Sequence, residues 1–293
     1  MAFLRGAVPN NAFTEFRRRF TDRAATVVAA GFSVLVVSAL VAIFAYLAIK
    51  GATSLNWAFL TQTPKSVGEV GGGMANALVG SVLILIIASL LGLPLGIGAG
   101  IYLAEFGQNR FGQVVRFTAD VLNGVPSIVV GLVAYGLVVY TQAHFSAFAG
   151  GVALAIMMVP ILARTTEEMM RLVPQTVREA AFGLGIPQWR TTLSVTLATA
   201  RAGIITGIML AFARVAGETA PLLFTTLGNQ FWNLRPSEPM AALPLQIFVY
   251  ANSPYEDWHR QAWAGALLLI IMIVGTTSVV RFVFLRRMLG GAR

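Results

Sequence analysis

Residues 75–103 read ANALVGSVLILIIASLLGLPLGIGAGIYL, and not one of them carries a charge. A helix that crosses a bilayer needs about 20 predominantly apolar residues, and this stretch exceeds that length. Working outward, five more segments have the same character: 24–49, 120–140, 147–162, 203–224 and 262–284. The composition agrees. Hydrophobic residues make up 57% of the chain and charged residues 11%, against about 25% charged in a typical soluble domain. Too little polar surface remains to coat a water-soluble particle. The expectation is an all-α integral membrane protein with six transmembrane helices. The first apolar run is far longer than the h-region of a cleaved signal peptide, and no small-residue cleavage site follows it, so it reads as an anchor.

Arginines set the orientation. Arg17, Arg18, Arg19 and Arg23 precede the first segment, and Arg110 and Arg116 lie between the second and third. Arg164, Arg171, Arg178, Arg190 and Arg201 lie between the fourth and fifth, and Arg286, Arg287 and Arg293 follow the sixth. The alternate connections hold only Lys50, Lys65, Arg235 and Arg260. Basic residues collect on the cytoplasmic side, so both termini are expected there, with Trp57, Trp232, Trp258 and Trp263 near the outer interface. The net charge of +9 then belongs to the membrane topology and calls for no nucleic acid. The chain has no cysteine, and its two histidines, His144 and His259, are far apart; no metal centre is expected.

Gly92, Gly96 and Gly100 recur every four residues, as do Gly203 and Gly207. Such faces let helix backbones approach closely in lipid. Pro94 predicts a bend, and a bend lining a pathway is the alternative use of these glycines.

The connection at 164–203 reads RTTEEMMRLVPQTVREAAFGLGIPQWRTTLSVTLATARAG. Pro174 ends any helix arriving from the fourth segment. Thr176 and Glu179 have capping-box spacing, which predicts a short new helix, and Gly183, Gly185 and Pro187 end it. That helix presents Glu179 beside the small Ala180 and Ala181, a surface suited to close docking by another protein. Glu167 and Glu168 point to different sides of a helix and form no acid pair.

This connection resembles the EAA loop of ABC importer permeases: Glu179, Ala180 and Ala181, then Gly185, then Val195 and Leu197, with Ala198 standing where that family usually has proline. The resemblance implies the type I permease fold and a coupling helix seated on a separate ATP-binding subunit. No G-x-x-x-x-G-K-[ST] sequence precedes either lysine, so ATP and its Mg²⁺ are expected on that partner and no cofactor on this chain. The resulting division is a tail at 1–23, an anchor at 24–50, and a permease domain at 71–286 containing the EAA loop at 164–202.

Arg214 and Glu218 stand inside the fifth apolar segment. Counted from Gly203 at about 1.5 Å per residue, Arg214 falls near mid-bilayer, and Glu218 follows on the same helix face. Ionisable groups there are functional candidates. Two readings stand: a buried ion pair that fixes packing, or a guanidinium offered to an oxyanion on the translocation path.

ARVAGETAPLLFT at 213–225, LGLPLGIGAGIYLAEFG at 91–107, VPSIVVGLVAY at 125–135 and LGNQFW at 227–232 are similar to the A-type permeases of bacterial phosphate ABC importers. This implies a phosphate pathway shared with a homologous second permease, two ATP-binding subunits, and a phosphate-binding protein delivering substrate to an inner-membrane complex. By the same resemblance Arg164 falls among basic positions that guide the anion out; its simpler role is a positive-inside anchor. The connection at 226–261 either docks the binding protein, covers the cavity, or is simply a structured interfacial loop. An ion-driven secondary transporter would call for an internal repeat with matching broken helices, and none is evident.

Overall fold

The computed structural model describes residues 12–290, and the side chains of 15–284. Residues 1–11 of the expected tail, and the side chains of Arg286, Arg287 and Arg293, lie outside that description. The chain divides into two compact units, 1–49 and 50–293. The first is formed by α1 (Ala12–Ala52). It begins well before the apolar run because Arg17 to Arg19 are themselves good helix formers.

In the second unit follow α2 (Trp57–Thr61), α3 (Ala75–Glu105), α4 (Arg110–Gly124), α5 (Ser127–Gln142), α6 (Ala147–Arg171), α7 (Gln175–Gly183), α8 (Gln188–Ala216), α9 (Ala220–Leu223), α10 (Leu243–Ala251) and α11 (Glu256–Gly290). Among the described residues 5 helices are long and apolar enough to cross a membrane, or up to 6 if α4 and α5 count as one bent span.

Three expectations are corrected. The segment at 120–140 is not one helix: α4 and α5 meet at 111°. Pro126 disfavours helical backbone at Val125 and brings no N–H, and Val125 and Pro126 are both extended. Asn109 caps the start of α4, its Oδ1 accepting from the Gly112 N–H at 2.7 Å, so α4 opens ten residues before Asp120. The segment at 203–224 is not one helix either. The helix starts at Gln188, runs through Ala198 where a proline would have interrupted it, and stops at Ala216 before Gly217. Finally, α7 starts at Gln175 directly after Pro174, with no side-chain cap. Proline's fixed φ suits a helix start, and Thr176 sits inside the first turn instead of capping it. Gly183 and Gly185 do end this helix; Gly185 has φ +77°, where an L side chain is disfavoured.

Helix α6 is the centre of the second unit. Its glycine-facing side meets α3: a Cβ on Gly92 would lie 3.1 Å from the Met158 Cβ, on Gly96 2.6 Å from that of Leu162, and on Gly100 2.5 Å from that of Thr166. Helix α8 packs against the same helix, with Gly203 against Met169 and Gly207 against Thr165. The four-residue glycine spacing is thus matched by the four-residue spacing of 158, 162 and 166, and it serves close packing. Apolar side chains gain nothing from leaving lipid, so this interlocking of small residues is what holds such helices together.

A second core, of Phe59, Met74, Leu243, Tyr250 and Trp258, lies beside the start of α3. Tyr250 and Trp258 stack with centroids 4.3 Å apart. Trp258 is therefore a core residue, 8% exposed, whereas Trp57 and Trp232 are open to the surroundings. The connection at 226–242 is held by its own hydrogen bonds. The Asn229 and Asn233 amides both donate to the Pro239 carbonyl, and the Ser81 hydroxyl accepts from the Leu243 N–H at 2.6 Å.

Candidate functional site: the coupling helix and the arginine segment

Helix α7 carries Glu179, Ala180 and Ala181. Glu179 and Ala180 are exposed, while Ala181 faces inward. Around them stand bare apolar side chains, Leu172, Phe182, Leu184 and Trp189. Nothing lies within 4 Å of a Cβ placed on Gly183 or Gly185. The helix thus presents a small-residue edge with a carboxylate and an apolar rim, and leaves open space at its C-terminal turn.

Its other side is fastened. The Arg178 guanidinium donates to the Glu105 carboxylate at the end of α3, and its Nη2 donates to the Met170 carbonyl in α6 at 2.8 Å. Both side chains are largely buried, at 13% and 8% exposed. Beside this pair lies a polar groove of about 740 Å³, lined by Gln108, Arg171, Gln188 and Thr196 among others.

Close by is a denser cluster. Glu167 on α6 is 1% exposed and meets three arginines: Arg116 Nε at 2.6 Å, Arg171 Nη2 at 2.7 Å and Arg164 Nη1 at 3.1 Å. Arg164 also reaches Asp120 through Nε at 3.0 Å. Arg116 spends its remaining nitrogens on the Gly107 and Leu103 carbonyls at 2.7 and 2.8 Å. A buried carboxylate is tolerable only with such partners. Arg164 thus sits between two acids, partly exposed. Glu168, next to Glu167, points outward.

Arg214 and Glu218 are arranged differently. Arg214 lies in the last turn of α8 and is exposed. Glu218 is half-buried and lies beyond the helix end, its N–H donating to the Val215 carbonyl at 3.2 Å. The two therefore do not share a helix face, and no ion pair joins them among the described residues, so the reading of a buried structural pair is set aside. The turn that follows Glu218 packs against α5: a Cβ on Gly131 would lie 2.7 Å from the Pro221 Cα.

Sequence reasoning missed Arg116, Glu167, Glu105 and Arg178. A signal for Glu167 was present. It continues the helical run of 147–162 without a break, and an ionisable residue there demands a partner. The partner itself, 51 residues away, had no signal.

The profile of the family described as binding-protein-dependent transport system inner membrane component matches residues 92–289. The chain belongs to this family. It is an inner-membrane, multi-pass transport component. Relatives include the phosphate transport system permease protein PstA of Yersinia pestis, 48% identical over 239 residues and 81% of each chain. The protein of the same name from Xylella fastidiosa is 50% identical over 217 residues, 73% of this chain and 76% of the relative. Among solved structures, a chain of the inward-facing MetNI methionine ABC transporter superposes with a TM-score of 0.53 at 16% identity, over 72% of this chain and 90% of the other. That likeness extends to the fold, the ABC type I permease architecture.

Proposed function

We propose that this chain is the transmembrane permease subunit of an ATP-driven phosphate importer. It forms half of the pathway, with both termini and α7 on the cytoplasmic side. The observation that carries the substrate is the 48% identity, across four-fifths of the chain, to a phosphate permease. The geometry adds Arg214, a guanidinium with no carboxylate within ion-pairing distance among the described residues. A planar, permanently charged group of that kind suits bidentate binding of an oxyanion, with Glu218 close enough in sequence to accept a hydrogen bond from protonated phosphate. Arg164, with part of its charge held by Asp120 and Glu167, stands at the exit. Residues 71–286 form the permease domain, after a tail at 1–23 and an anchor at 24–50.

The EAA loop at 164–202 is the link to the motor. Helix α7, with Glu179, Ala180, Ala181 and Gly185, seats on one of two ATP-binding subunits, which use ATP and Mg²⁺. A homologous second permease completes the pathway, and a phosphate-binding protein delivers substrate from outside. ATP binding draws the ATPase subunits together, α7 moves with them, and the pathway opens outward; hydrolysis resets it.

The test is radiolabelled phosphate uptake into vesicles holding the whole complex, with sulfate as competitor. ATP-dependent uptake that excess sulfate leaves in place is expected. Uptake independent of ATP, or sulfate taken up in place of phosphate, overturns the reading.

A further inference from the structure

Helix α7 is joined to its neighbours by short non-helical turns. Leu172 to Pro174 separate it from α6, and Leu184 to Pro187, with Gly185 at positive φ, separate it from α8. Its side chains tie it to elements distant in sequence as well. Arg178 reaches Glu105, 73 residues away in sequence, and the Met170 carbonyl. The far side of that same α3 end is held by Arg116 of α4, through the Leu103 and Gly107 carbonyls. From there α4 runs to the break at Val125 and Pro126, and α5 beyond it presses Gly131 on Pro221, three residues past Glu218.

We propose that the Arg178–Glu105 pair is a positioning link that carries displacement of α7 into the end of α3 and, through Arg116, into the broken α4–α5 element, which packs on the Ala220–Leu223 turn that follows Glu218. This rests on the coupling role of α7 proposed above. Two features favour the pair as the carrier. A largely buried ion pair loses more on being stretched than an exposed one does, so its two ends tend to move together. An arginine also holds two acceptors at fixed geometry, which a lysine cannot do.

The experiment uses the full complex in proteoliposomes and reads phosphate transported per ATP hydrolysed, with co-purification of the ATPase as the measure of assembly. Arg178→Glu and Glu105→Arg each lower the ratio by about tenfold, within the range of coupling energies between sites. The exchange of both, which the adjacent groove of about 740 Å³ has room for, restores it to within about threefold of the original. Should the single reversals fail to assemble, Arg178→Lys serves in their place. It keeps the charge but loses one of the two acceptors, and the ratio falls by a few-fold. An unchanged ratio in the assembled variants, or an exchange that restores assembly without the ratio, overturns the link. Glu179→Lys in the same assay separates this from the underlying reading. If it uncouples transport while the Arg178 and Glu105 changes do not, only the link is lost; if it alters neither coupling nor ATPase binding, both fall.

Discussion

The arginines around Glu167 and the arginine at 214 are the same side chain put to opposite uses. Arg116, Arg164 and Arg171 converge on one carboxylate that is almost wholly removed from solvent. Arg214 stands exposed at a helix end, with the nearest acid in sequence, Glu218, displaced by the turn at Gly217. In the first region charge is consumed in fixing helices α4 and α6 to each other. In the second it remains available for something outside the chain. An arginine whose hydrogen-bonding capacity is already filled offers little to a passing anion; one that is unmatched in a membrane protein has a function to account for.

The largest effect that would sharpen this contrast is at Glu167. Glu167→Ala takes the buried carboxylate from three arginines: Arg116 is left with two backbone carbonyls, Arg164 with Asp120, and Arg171 with the solvent it already half faces. Removing one partner of a buried pair costs about 3–5 kcal/mol. The expected outcome is loss of the folded permease, measured by yield and thermal stability in detergent. A variant of full stability would show that the cluster is not structural and dissolve the comparison.

Next comes Arg214→Leu. Hydrogen bonds to a charged group are worth about 1.5–3 kcal/mol, so phosphate uptake falls roughly ten- to a hundredfold while the complex still assembles. Loss of assembly with this variant would place Arg214 in the structural class with Arg116.

The contrast also marks what was legible in the sequence. Spans could be read because length and hydropathy alone decide whether a segment can cross, and α3, with no charge in 75–103, is the clearest case. The breaks were harder. In 120–140 the apolar run continues through Val125 and Pro126, so composition conceals a bend that backbone sterics impose. In 203–224 the apolar run starts at Gly203, but the helix does not. The true start, fifteen residues earlier at Gln188, moves Arg214 from a helix middle to its last turn. That shift changes the geometry of the pair, though not the chemistry of the arginine. The glycine face was legible down to its spacing, but its partners Met158, Leu162 and Thr166 belong to another helix and could be known only from the fold. The same holds for the pairing of Arg178 with Glu105.

Arg164 lies between the two classes and gives the smallest effect. Its Nε and Nη1 are held by Asp120 and Glu167, yet the side chain is still 32% exposed. If pairing diminishes what an arginine offers to an anion, Arg164→Leu lowers uptake by a few-fold only. Stability falls by about 1 kcal/mol or less through the half-exposed Asp120 contact, with a further loss because Glu167 keeps only two of its three arginines. Uptake at saturating and at limiting phosphate, compared with Arg214→Leu in the same vesicles, reads this directly. A loss as deep as that at Arg214, in a complex of normal stability, would mean that a paired arginine serves the anion as well as a free one. The distinction between consumed and available charge would then fail as a guide to the pathway.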